Sequence, residues 1–207
     1  MVVPMLKSSD LSELDTKQRI LEAAMNLFAV KGFDGTSIRD IAKLAEVNVA
    51  SLNYHFRTKE NLRQEMLEYI VGEFKGKINN ISGVNSASEY AIKIYQALTE
   101  NSAKCVNQFK LILEADSHPC ETDPYPMGYG PFMDHLDREL NKNVPIDQRL
   151  WLLNIVFSYI VHISVMSCTR IGKDGIEKFF PQKQDSIQTY ITGLVEALVR
   201  DLNARFS

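Results

Sequence analysis

Cysteine is scarce in this chain: three residues in 207, at positions 105, 120 and 168. They form neither a CxxC pair nor an even-numbered disulfide framework, and such usage suits a reducing cytoplasm. No GxGxxG, P-loop, HExxH or nucleophile elbow occurs. Nothing therefore supplies a phosphate cradle, a metal-bound water or an activated serine, so neither an enzyme nor a bound cofactor is expected. Met1–Asp10 has no basic segment followed by an apolar stretch of roughly 7–15 residues, the pattern of a signal peptide. Positive charge is also in short supply, with a net charge of −3. Residues 1–77 hold eleven Lys and Arg against eleven Asp and Glu, so the acidic excess lies wholly in the remainder. That even balance gives the N-terminal region a weak nonspecific attraction for polyanions.

Long hydrophobic runs are limited to one, Leu150 to Cys168. Its length approaches the ~20 residues needed to cross a bilayer. Asn154, Ser158 and His162 interrupt it at helical spacing, however, and no basic cluster marks a cytoplasmic end. A buried helix is expected there, and no membrane partner. Alternating strand patterns are missing altogether, so the chain is expected to be all-α. Helices are expected over residues 15–31, 38–45, 49–56, 58–77, 88–103, 105–117, 131–143, 145–171 and 185–206. Between them, His118 to Pro131 is dense in Pro and Gly and reads as a long loop. The expected organisation is a DNA-binding head over residues 1–60, opening with a loose arm at 1–14, and a helical domain over 61–207.

Residues 36–62 are the most informative stretch. Ser37 with Asp40 makes a capping box, and Ile38, Ile41, Ala42 and Ala45 then recur at helical spacing. Glu46-Val47 turns the chain, and Asn48 is a good N-cap for a second short helix. Apart from Leu52 that helix has little apolar content. Its outward positions carry Ser51, Asn53, Tyr54 and His55, side chains that hydrogen-bond without adding net charge. A short helix with a light core face and a neutral polar outer face suits the major groove, where donors and acceptors are read. This is a helix-turn-helix pattern.

The flanking residues extend it. Thr16-Lys17-Gln18-Arg19-Ile20-Leu21-Glu22-Ala23-Ala24, Leu27-Phe28, Gly32-Phe33, Thr36-Ser37-Ile38, Ile41-Ala42, Tyr54-His55-Phe56, Thr58-Lys59-Glu60 and Leu62 together resemble the DNA-binding domain of the TetR family of bacterial transcription regulators. The resemblance covers about the first third of the chain. It departs from the family pattern at Glu46, Ala50 and Asn53, where the family commonly has Gly, Gly and Tyr. It implies a homodimeric, ligand-responsive regulator, most simply a repressor, acting on double-stranded DNA in the cytoplasm at a palindromic operator. Val49, Ser51 and Tyr54 are candidates for base edges, and Thr36, Asn53, His55 and Lys59 for phosphates. Ser37, Asn48 and Ala50 complete the expected DNA-binding set, Ala50 where the family's Gly lets the helix backbone approach a phosphate. The alternative is a helical small-molecule-binding or protein-interaction module whose helix-turn-helix does not read DNA.

Two further patterns lie in the second domain. Trp151, Asn154, Ser158 and His162 share one face of the long apolar helix. Such groups either pair with neighbouring helices or line a ligand pocket; taken as a pocket wall, they predict a small organic effector of low charge, since no Arg or Lys cluster is at hand for an anion. The last helix carries Tyr190, Leu194, Ala197 and Leu198 on one side. By the family resemblance, which places the last two long helices in a four-helix dimer seam, these are candidate dimer-interface residues. His118, Cys120 and His135 are too loosely spaced, and lack a fourth ligand, to make a metal site.

Overall fold

The computed structural model describes residues 14–115, 130–169, 172, 174–175 and 183–207. The described residues contain helices and turns and no strand, which makes the protein all-α as its periodicities require. The chain divides into two compact units. The division falls inside two helices, between Glu73 and Phe74 and again between Cys105 and Val106.

The first unit is built on α1 (Thr16–Lys31), α2 (Ile38–Leu44), α3 (Val49–Phe56), most of α4 (Lys59–Asn79) and the end of α6 (Ser102–Leu113). Asp15 and Gln18 form a reciprocal capping box that satisfies two orphan amides at the start of α1, with Gln18 N donating to Asp15 Oδ1 over 2.8 Å. Gly32 ends the helix at φ +76°, a conformation that costs glycine little, and its amide returns to Phe28 O. Ile20, Phe28, Ile41, Leu52, Phe56, Leu62, Met66 and Ile70 are all buried. Each such side chain contributes roughly 1.5–3 kcal/mol when fully removed from water. Their convergence holds α2 and α3 in place. The distal part of α6 is fastened to this unit by polar bonds: Gln108 Nε2 donates to Glu73 Oε2 (2.7 Å) and Lys110 Nζ to Ala29 O (2.6 Å).

In the second unit, α5 (Ala87–Thr99) packs against α8 (Ile146–Cys168) and α9 (Lys183–Arg205), with α7 (Gly130–Glu139) laid on α5 and α8. Ser86 caps α5 through Glu89 N, so the helix opens one residue earlier than periodicity alone indicated, which leaves Ser88 inside. Tyr90 stacks on Phe132 with ring centres 5.8 Å apart and donates its hydroxyl to Ile78 O. Beyond α7, Asn203 of α9 accepts from Asn141 N and donates to Glu139 O, so the chain turns there and does not continue helically to Asn143.

The long apolar helix α8 is not buried all round. Leu152, Leu153, Val156, Phe157, Ile160, Ile163 and Ser164 face the unit's core. Trp151, Asn154, Ser158 and His162 lie on the opposite side and are exposed, Trp151 to 47 %. By length and composition α8 would cross a membrane. In the structure one face of it is core and the other is surface.

Candidate nucleic-acid interface

The first unit places the helix-turn-helix at its surface through caps and two anchors. Ser37 and Asp40 close the capping box of α2, with Asp40 N donating to Ser37 Oγ (3.1 Å) and Ser37 Oγ to Asp40 Oδ2 (2.8 Å). Those bonds from Ser37 hold the Asp40 carboxyl below its usual range. The turn then passes through Glu46 at φ +54°, in the left-handed region. Asn48 caps α3 by accepting from Ser51 N over 2.6 Å. Leu52 and Phe56, four residues apart, are the buried anchors of α3. Everything else on that helix is at or near the surface.

Tyr54 is the most prominent of these residues, 83 % exposed, with its ring edge-on to His55 at 5.4 Å. Val49, Ala50 and Asn53 are exposed and Ser51 and His55 partly so. One solvent-facing surface of α3 thus collects six of the ten expected DNA-contact residues. Lys59 opens α4, where Thr58 accepts from Asn61 N, and its ammonium sits 4.1 Å from the centre of the Phe33 ring. Arg63 approaches the same ring at 5.0 Å. The ring's electron-rich face holds both cations.

Thr36 does not belong to this surface. It is 2 % exposed, and its hydroxyl donates inward to Gly32 O (2.8 Å) with Leu27 O at 3.3 Å. Its polar group closes the α1–α2 turn, so the expected phosphate contact is corrected to a core role. Ser37 and Asn48 are exposed, yet their side chains are engaged as helix caps and position α2 and α3. Three cations absent from the expected set are exposed in the helix-turn-helix. Arg39 and Lys43, four apart on one side of α2, and Arg57 just past α3 are all exposed. The i, i+4 spacing of Arg39 and Lys43 is visible in sequence as a basic stripe.

Trp151, Asn154, Ser158 and His162, expected as a pocket wall, are exposed. These residues point out of the second unit, and Asn154 Nδ2 bonds back to Leu150 O within its own helix. An open groove of about 560 Å³ in this unit is lined by Asn80, Ile81, Lys93, Gln96, Thr99 and Glu100 among others, and by none of those four. The segment expected to cover such a pocket, His118 to Pro131, lies outside the described residues up to position 129. Tyr190 is 53 % exposed, Ala197 is exposed, and Leu194 and Leu198 are partly so. Tyr159 of α8 is raised above the ordinary tyrosine range by burial and then by the nearby Tyr190 of α9.

Residues 20–66 match the family model for bacterial regulatory proteins of the tetR family. The probable HTH-type transcriptional regulator YttP of Bacillus subtilis is 48 % identical over 62 residues, 30 % of this chain and 28 % of that one. The biofilm operon negative transcriptional regulator IcaR of Staphylococcus aureus is 37 % identical over 86 residues, 41 % of this chain and 44 % of that one. The chain therefore spans less than half the length of these curated relatives. The crystal structure of a TetR-family transcriptional regulator from Haemophilus influenzae shares the fold over 88 % of this chain and 96 % of its own, with a TM-score of 0.68 at 14 % identity.

Proposed function

We propose that this chain, a member of the TetR family of bacterial regulatory proteins, is a homodimeric, effector-responsive repressor that binds a palindromic operator in the bacterial cytoplasm. The observation that supports this most is the solvent face of α3. A large aromatic, two amide or hydroxyl side chains and a partly exposed imidazole project from a helix pinned by only two buried residues. That is a surface of donors and acceptors without a core partner, and base edges are what it matches. Val49, Ser51 and Tyr54 are assigned to bases, and the backbone at Ala50 to a phosphate. Asn53, His55 and Lys59 are assigned to phosphates, joined by Arg39, Lys43 and Arg57. The head is residues 1–60, and residues 61–207 supply the effector and dimer functions; the protein is a binding protein with no catalytic role.

The outward faces of α8 and α9 are assigned to the second copy. Trp151 and Tyr190 are large and about half exposed, and a second copy covering them would take that apolar area out of water. This reassigns Trp151, Asn154, Ser158 and His162 from effector pocket to dimer seam, beside Tyr190, Leu194, Ala197 and Leu198. An isologous seam gives the two heads the twofold symmetry that a palindrome requires. An effector acts by favouring one spacing of the heads over the other.

The competing reading, a helical module whose head does not bind DNA, draws on the even charge of residues 1–77. Fluorescence anisotropy of labelled genomic fragments, titrated with protein at several salt concentrations, separates the two. Saturable binding that survives excess random duplex and falls with salt supports the repressor. Binding to no duplex at low salt defeats it.

A further inference from the structure

Phe33 stands in the turn between α1 and α2, with its ring tilted on the buried Phe28 at 5.3 Å between centres. Two cations one helical turn apart on α4 converge on it. The Lys59 ammonium is 4.1 Å and the Arg63 guanidinium 5.0 Å from the ring centre. All three residues belong to the first unit, and all three are partly exposed. Like charges four residues apart on a helix repel, and the electron-rich face of the ring offsets that repulsion. Lys17 provides the contrast. It lies 5.8 Å from the Phe56 ring, but its ammonium is paired with the Glu65 carboxylate at 2.6 Å. Among the described residues the Phe33 ring is the one partner of the Lys59 ammonium.

We propose that Phe33 is a positioning residue for DNA: its ring holds Lys59 and Arg63 as one docking point for a backbone phosphate, and Arg63 is a further phosphate-binding residue. This rests on the reading of the head as DNA-binding. A carboxylate partner would fix a cation in place but cancel its charge. An uncharged ring orders the cation and leaves the charge for a phosphate. Long cationic side chains lose rotamer freedom when they dock, and those already ordered lose less. The difference matters in this head, where residues 1–77 carry as many Asp and Glu as Lys and Arg, so attraction depends on where the cations are placed. The two cations are also complementary. The guanidinium fork donates to two phosphate oxygens at once, and the ammonium adds a compact point charge.

The test uses the full chain, a duplex that the wild type selects from a random pool, and a random duplex, with thermal unfolding run on every variant. Phe33→Leu keeps an apolar side chain on Phe28 and removes the ring face. It should weaken both duplexes by the same factor, about three- to tenfold, while Phe33→Tyr keeps wild-type affinity. Phe33→Met takes its place if Phe33→Leu does not fold. Arg63→Gln should weaken both duplexes and shallow the salt dependence by about one counterion per head. In the double variant the combined loss should fall short of the product of the single losses, because the ring acts through the cations. Losses that multiply fully, or wild-type affinity without the ring, overturn the positioning role. Unchanged affinity and salt dependence in Arg63→Gln overturn its phosphate contact. Proton NMR of the free protein needs no DNA: the Lys59 ε-methylene protons, assigned by their loss in Lys59→Gln, should lie upfield of other lysines. An ordinary lysine position overturns the pairing with the ring. If the wild type selects no duplex, the DNA-binding reading and the positioning role fall together, while the NMR shift still decides whether the ring holds the cation.

Discussion

Helix α3 in the first unit and helices α8 and α9 in the second each leave a broad side uncovered, and they do so in opposite chemical terms. On α3 the uncovered side is Ser51, Asn53, Tyr54 and His55, groups that are at ease in water and can exchange it for other hydrogen-bonding partners. On α8 and α9 it sets Trp151, Tyr190, Ala197 and the partly exposed Leu194 and Leu198, which gain by leaving water, among the polar Asn154, Ser158 and His162. The difference matches the partner proposed for each side. A wet, charged, deformable partner such as DNA needs exchangeable polar contacts, and association can stay reversible. A permanent partner of the same sequence needs area without net charge, and the surface then resembles a core cut open. The caps agree with this division: α3 is held by Asn48 and two buried anchors, whereas α8 buries a complete face along its length.

The comparison breaks most visibly at the apolar side. Ala197 is exposed in the single chain, so Ala197→Glu leaves the fold intact but buries an unpaired carboxylate in a dimer seam. Light scattering should report monomers, with operator binding lost because two heads no longer bind together. A folded variant that stays dimeric places the interface elsewhere. At the polar side the effects are smaller and of two kinds. Tyr54→Ala should lose roughly 1–3 kcal/mol of discrimination at one base-pair position. Arg39→Ala should instead weaken all sequences alike and shallow the salt dependence by about one counterion, as should Lys59→Ala. Equal losses on matched and mismatched duplexes for Tyr54→Ala would make it a phosphate contact.

Smaller effects probe how the head is held. Glu46 adopts a left-handed conformation that costs a side-chain-bearing residue about 1–2 kcal/mol. Glu46→Gly relieves this and gives back part of it through a freer unfolded chain, so chemical denaturation should show a gain of about 0.5–1 kcal/mol. Destabilisation would mean that the carboxylate makes a favourable contact. Tyr69 donates to Glu22 Oε1 over 3.1 Å, and burial, then Glu22 and Glu73, raise its hydroxyl well above 10. Because the folded state holds the proton more tightly than the unfolded one, this contribution is complete below pH 10 and declines as pH rises above it. Tyr69→Phe should lower stability at pH 7 and flatten its alkaline decline. An unchanged slope assigns that decline to other tyrosines.

The head was readable because its signals are local. Ser37 with Asp40, Asn48 before Ser51, and Gly32 after Lys31 are caps whose partners lie within four residues, and each forms as its spacing implies. Thr36 was misjudged because its partners, Leu27 O and Gly32 O, come from the preceding helix and the turn after it. The departure at Glu46, where the family commonly has Gly, is conformational in the structure, and φ is invisible in a residue's identity. For α8 the periodicity was right and its sense reversed. Leu152, Ile155, Val156 and Tyr159 spread apolar groups so widely that Asn154, Ser158 and His162 looked like polar groups trapped inside, when they mark the outer side. A monomer's sequence cannot distinguish a face turned to a cavity from one turned to a second copy, because both are apolar with a few polar groups.

The central claim is that α3 reads DNA from a twofold dimer. Selection of bound duplexes from a random pool tests it most directly, run in parallel with wild type, Tyr54→Ala and Ala197→Glu. The account predicts that the wild type enriches an inverted repeat whose half-sites lie about one helical turn, or a multiple of it, apart. Tyr54→Ala should relax the same position in each half-site, and Ala197→Glu should enrich no paired site. An enriched sequence without inverted symmetry, the same site selected by all three proteins, or no enrichment by the wild type would contradict it.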